Sequence, residues 1–204
     1  MIAIVLVILI ILIMIGRKKA MENFLSEIEQ ANSRGGWGIT KEEPLKELPW
    51  KNFTYTIMDI KDFSKIVKRT INDTLLQKVI IAIALREQRY SKDKSKIKFP
   101  NNNIFGINLF KNGWKNAIHL VDYKFLERDS LGWVWFAGFN SIERCLKFME
   151  IVLKSKGATN IRTADDWAYF YVYKWWSPLN KEKALNENKN ALISIWNEVG
   201  KYYV

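Results

Sequence analysis

The sequence predicts a mainly helical α+β domain with one small β-hairpin, preceded by an N-terminal transmembrane helix. Apolar residues recur at helical spacing through most of residues 60–204, and a single pair of runs, 116–126 and 132–139, reads as two strands joined by a turn. Ahead of both, Met1 to Ile15 contain no polar side chain.

Bulk composition narrows the class. Once the apolar start is set aside, 204 residues leave room for one globular domain with its own core. A hydrophobic share of 49% excludes a disordered chain. The formal net charge of +11 calls for an anionic partner: nucleic acid, an acidic membrane surface or the bacterial wall. Cys145 is the sole cysteine, so an internal disulfide and a cysteine zinc site are excluded. Its place in an apolar helical stripe marks it as a buried hydrophobe. His119 is the sole histidine and is expected to be structural or surface-exposed, so no metal or cofactor is expected. Chemistry is left to carboxylates, the residues of glycosidic cleavage.

The elements follow in order. Residues 1–16 form the expected membrane anchor; as a helix, residues 1–15 would span about 22–24 Å, slightly short of a bilayer core. Gly16 and snorkelling by Arg17, Lys18 and Lys19 make up the difference. No basic residue precedes the run and no small-x-small site follows it, which favours an uncleaved anchor over a signal peptide. Residues 17–59 divide into a helix, Ala20 to Ser33, and a linker carrying Gly35, Gly36, Gly38, Pro44 and Pro49. The domain occupies 60–204. Ile60, Phe63, Ile66 and Val67 mark a short amphipathic helix, and Thr74 with Gln77 suggests a capping box for the central helix. Leu76, Val79, Ile80, Ile83 and Ala84 line its buried stripe. Glu87 falls on the same side in the last turn, where partial desolvation favours a protonated carboxyl. After the hairpin, Ser141 caps a helix ending at Gly157, Thr163 and Asp166 open another that stops at Ser177-Pro178, and Leu192, Ile195, Trp196 and Val199 mark a last one. Asp165 and Asp166 read as first-turn helix charges.

The sharpest pattern is Ala84-Leu85-Arg86-Glu87 followed by Asn102-Asn103-Ile104-Phe105-Gly106-Ile107. It resembles the peptidoglycan endo-β-N-acetylglucosaminidase family, whose fold is lysozyme-like and in which a helix ends in the catalytic glutamate ahead of such a loop. The resemblance runs through Trp133 to Phe139 and Ser141-Ile142-Glu143, and more weakly through Thr163 to Pro178. It implies a glycoside hydrolase acting on peptidoglycan, with Glu87 as general acid. Such an acid must still be protonated near neutral pH to donate to the leaving oxygen, and the end of a buried helix beside a groove meets that need.

Asn102, Asn103 and the backbone at Gly106 are candidates for hydrogen bonds to N-acetyl groups, with Phe105 a plug beneath the loop. Two departures stand out. Gln88-Arg89-Tyr90-Ser91 stands where family members often carry Ser-Gly-Trp-Gly, leaving Tyr90 as the sugar-facing aromatic. Lys174-Trp175-Trp176-Ser177 stands where Gly-Tyr-Ala-Thr is frequent, keeping an aromatic but losing the tyrosine hydroxyl at that spot. Glu127 and Asp129, in the hairpin tip, are the candidates for a second carboxylate. The substrate's own acetamido group, or a lytic transglycosylase route, would need neither. Trp114, Trp133, Trp135, Trp175 and Trp176 are too many for all to be core, so sugar-stacking positions are expected among them, and Trp114, Trp133, Trp175 and Trp176 are taken as the substrate-binding set.

The anchor adds a topological expectation. Arg17-Lys18-Lys19 directly follow the apolar run, which places the domain on the cytoplasmic side. That suits a phage enzyme held first in the host inner membrane and then in a virion membrane, where capsid or membrane proteins would be neighbours. Otherwise the bacterial cell envelope is its place. Two other functions compete: a non-catalytic virion or wall-binding protein keeping the fold, and a nucleic-acid binder. The second is weakened because the basic residues are scattered rather than continuous.

Overall fold

The computed structural model describes residues 47, 55–87, 96–109, 112–129 and 132–202. The expected anchor 1–16, all of 17–59 except Glu47 and β1, and Tyr90 lie outside those residues. Among the described residues no helix is long and apolar enough to cross a membrane. The architecture is mainly α with two small antiparallel two-stranded sheets.

The central element is α2, Thr74–Glu87, which follows α1, Ile60–Thr70. Its buried positions include Leu76, Gln77 and the whole stretch Val79 to Ala84. A helix apolar nearly all round must be enclosed by its neighbours, and α2 is; the expected single stripe was too narrow. Its start also differs from the expected capping box. Asp73 Oδ1 accepts from the backbone N–H of Leu75 at 2.9 Å and of Leu76 at 3.0 Å, while the Gln77 amide donates to the Ile71 carbonyl.

Around α2 pack α1, α3 (Ile142–Ser155) and α5 (Lys181–Glu198), and α4 (Ala164–Phe170) packs on α5. Local capping explains their limits. Ser141 Oγ accepts from Arg144 N–H at the start of α3, and Gly157, at φ 81°, turns the chain out beyond its end. Thr163 and Asp166 form the expected capping box on α4, and Asn180 caps α5. Trp167, fully buried, stacks on Trp196 at 5.7 Å between ring centroids and donates to the Leu192 carbonyl, locking α4 to α5.

The β structure departs from expectation in two ways. The run expected as a strand from Asn116 to Leu126 begins as a 3₁₀ helix, Asn112–Leu120, and only Tyr123–Asp129 (β3) is strand. Trp114 and Ala117 are buried in it, three apart as the period of that helix requires. β3 pairs with β4, Gly132–Gly138, in the expected hairpin, with Phe125 opposite Phe136 and Glu127 opposite Val134. A second sheet was not expected. Tyr55–Asp59 (β1) pairs antiparallel with Lys96–Pro100 (β2), bridging the two ends of the α1–α2 segment.

Candidate active site

Glu87 closes α2, is half-buried and lines a small cleft of about 100 Å³. The cleft brings Glu87 together with Gly106, Trp114, Trp175 and Trp176, five of the residues that the sequence singled out. Phe105, Ile107 and Asn108 complete its lining.

The loop 101–109 forms one wall, and its shape is set by asparagines and a glycine. Asn101, Asn102 and Gly106 adopt φ of 49°, 56° and 57°, the left-handed region that asparagine tolerates and glycine favours. Asn103 is 1% exposed; its Oδ1 accepts from Ile107 N–H at 2.8 Å and its Nδ2 donates to the Ile107 carbonyl at 3.1 Å. Asn102 Nδ2 donates to the Phe139 carbonyl at 2.8 Å. Neither asparagine lines the cleft. The amide of Asn103 is spent inside the loop, so that residue shapes the wall instead of meeting a sugar as expected. The loop then pairs with the outer edge of β4: Ala137 N–H donates to the Ile107 carbonyl and Leu109 N–H to that of Trp135. Phe105, 2% exposed, sits against Phe63 beneath the loop as the expected plug.

The opposite wall comes from the end of α4. There the helix widens into a π segment, Tyr171–Trp176, closed by Ser177 N–H donating to the Val172 carbonyl. In an α-helix the fifth residue on lies about 140° around the axis. The wider turn brings it back over the first. The rings of Tyr171 and Trp176 are 6.4 Å apart as a result, and Trp175 lies 5.8 Å from Trp114. Trp114 and Trp175 are 3% and 6% exposed and form the cleft's floor, with Trp114 Nε1 donating to the Asn108 carbonyl; Trp176, 39% exposed, is the open rim.

Sequence reading missed Tyr171. Its ring is buried against Trp167, and its hydroxyl donates to Glu87 Oε1 at 2.8 Å. Trp167 and Tyr171 stand four apart on one helical face, and a buried phenol needs a partner, so the signal was present. A tyrosine hydroxyl therefore does reach the site, from a position other than the one where the motif lacked it. Arg86 stands behind the pair. Its guanidinium lies 5.9 Å from the Tyr171 ring centroid and donates to Asn188 Oδ1 on α5 at 3.0 Å.

Glu127 is half-buried on β3 and does not line the cleft. Burial raises its carboxyl above the usual range. Asp129 ends β3 and Trp133 lies in β4, but their side chains fall outside the described part of the structure. Trp135 is half-buried, with Lys124 Nζ 4.4 Å from its ring centroid. The remaining assignments concern helices. Asp165 and Asp166 occupy the first turn of α4, Cys145 is buried with its thiol pushed well above the ordinary value by desolvation, and His119 is exposed. No group of three or more potential metal ligands occurs among the described residues.

Comparison with protein-family models, curated proteins and solved structures found no match to the chain.

Proposed function

We propose that the chain is a membrane-anchored hydrolase of peptidoglycan glycan strands, built on a lysozyme-like domain, with Glu87 as its general acid. One observation carries the reading: a carboxyl at the end of a buried helix opens into a cleft floored by indole rings and is held by a tyrosine hydroxyl. Sugar rings present apolar faces that stack on aromatics, and the Trp176 rim offers such a platform. Glu87 donates its proton to the leaving glycosidic oxygen, while Tyr171 orients the carboxyl. The loop backbone at Gly106 faces the same space and supplies polar contacts for acetamido groups. A second carboxylate, Glu127 or Asp129, the substrate's acetamido group, or a transglycosylase route completes the reaction.

The resemblance to glucosaminidases supports N-acetylglucosamine as the cleaved sugar. With residues 1–16 as anchor, the enzyme would serve either a virion entering its host or the cell envelope. A zymogram on purified peptidoglycan tests the reading, with a cleared band expected from the wild-type chain. Binding without clearing would make it a wall-binding protein instead.

A further inference from the structure

The β1–β2 sheet presents an outward face unlike an ordinary solvated one. Along β1 the two exposed positions alternate with half-buried ones, and both are large and apolar: Tyr55 at 53% and Ile57 at 62% exposure. Across the pair, Ile57 faces Lys98 and Asp59 faces Lys96, both lysines exposed. Lys98 Nζ lies 4.6 Å from the Tyr55 ring centroid. Asp59 is directed to the start of α1, where its carboxylate accepts from Lys61 N–H. The opposite face of the sheet, Ile97 and Phe99, is buried in the core. A half-buried antiparallel sheet normally turns polar side chains to water. Tyrosine, isoleucine and paired lysines together are instead the residue types that settle at a lipid headgroup layer.

We propose that this face docks the domain onto the anionic surface of the membrane that residues 1–16 enter. The inference rests on reading that run as an anchor. Residues 17–46 connect it to Glu47, which bridges to Lys124 on β3, and as a fully extended chain they reach at most about 105 Å. A weak affinity of the face suffices, because an anchored domain meets the bilayer as an intramolecular partner. The net charge of +11 supplies the complementarity, since each lysine near an anionic surface contributes favourably. Docking would hold the domain at one height and orientation above the membrane.

The test uses the full chain carrying Ile57→Cys. The sole native cysteine, Cys145, is buried, so an environment-sensitive fluorophore attaches selectively at 57. The chain is incorporated into vesicles of phosphatidylcholine, with or without phosphatidylglycerol, containing a lipid-borne quencher. Flotation reports the anchor and fluorescence reports the face. The expected result is about a twofold loss of fluorescence in anionic vesicles only, as shallow burial at the headgroup boundary implies. It should be reversed by salt and by Lys96→Glu with Lys98→Glu, while flotation is kept. A chain that floats without quenching overturns docking alone, as does quenching that ignores lipid charge. A chain that fails to float with anionic vesicles overturns the docking and the anchor together.

Discussion

Glu87 and Glu127 are both half-buried, and the structure holds them in opposite ways. Glu87 ends a helix enclosed on nearly every side, opens into the aromatic cleft and accepts a hydrogen bond from a buried tyrosine. Glu127 sits mid-strand opposite Val134, away from the cleft lining, and burial favours its neutral form. One carboxyl is positioned by a polar partner from an element far away in sequence. The other is shaped mainly by loss of water. Desolvation alone makes an acid reluctant to ionise, but a directed partner and an adjoining cavity are what turn a carboxyl toward a substrate.

That contrast is open to attack by mutation, and the largest effect should come from Glu87→Gln. Removing the proton donor with little change of volume should lower turnover by about 10²–10⁴-fold. Thermal unfolding should stay close to wild type. Near-normal turnover would move the acid elsewhere, with Glu127 first in line. Next comes the wall itself. Asn103→Ala strands the buried N–H of Ile107, while the Ile107 carbonyl keeps the Ala137 N–H, and should cost about 1–3 kcal/mol in denaturant unfolding, more than an exposed asparagine would. A smaller loss would mean that the loop finds another partner for that N–H.

Tyr171→Phe sharpens the comparison because it deletes only the directed hydrogen bond. Stability should fall by about 1 kcal/mol, with a drop in kcat and little change in KM. Unchanged kcat would show that Glu87 needs no such guide.

The smallest effect concerns Glu127 and carries a sign. Its folded-state pKa is raised, so the native protein holds that proton more tightly than the unfolded chain. Stability is therefore fully present below the unfolded pKa, about 4.3, and declines as pH rises through the folded value. Glu127→Gln removes the ionisation. The variant should match wild type near pH 3 and be slightly more stable at neutral pH. Melting curves at the two pH values check this, and a variant less stable at neutral pH would mean that the ionised carboxylate has a favourable partner.

The sequence alone determined the helices and most of their ends. Ser141, the Thr163–Asp166 box and Gly157 act over four residues or fewer, and the apolar period of each helix is printed along the chain. It also singled out Glu87 and Gly106, through a motif that resembles a known family, and three tryptophans of the cleft, through an aromatic share too large for the core alone. Tertiary structure decided the rest. The β1–β2 pairing joins segments separated by two helices, and five-residue strands carry too little alternation to name a distant partner. The 3₁₀ helix at Asn112–Leu120 holds a spacing that serves helix and strand alike until Trp114 finds its place against Phe148 and Trp175. The Tyr171–Glu87 bond spans 84 positions, and it joins the start of the π turn to the end of the central helix. Contacts of that range have no local signature; only the folded chain brings their ends together.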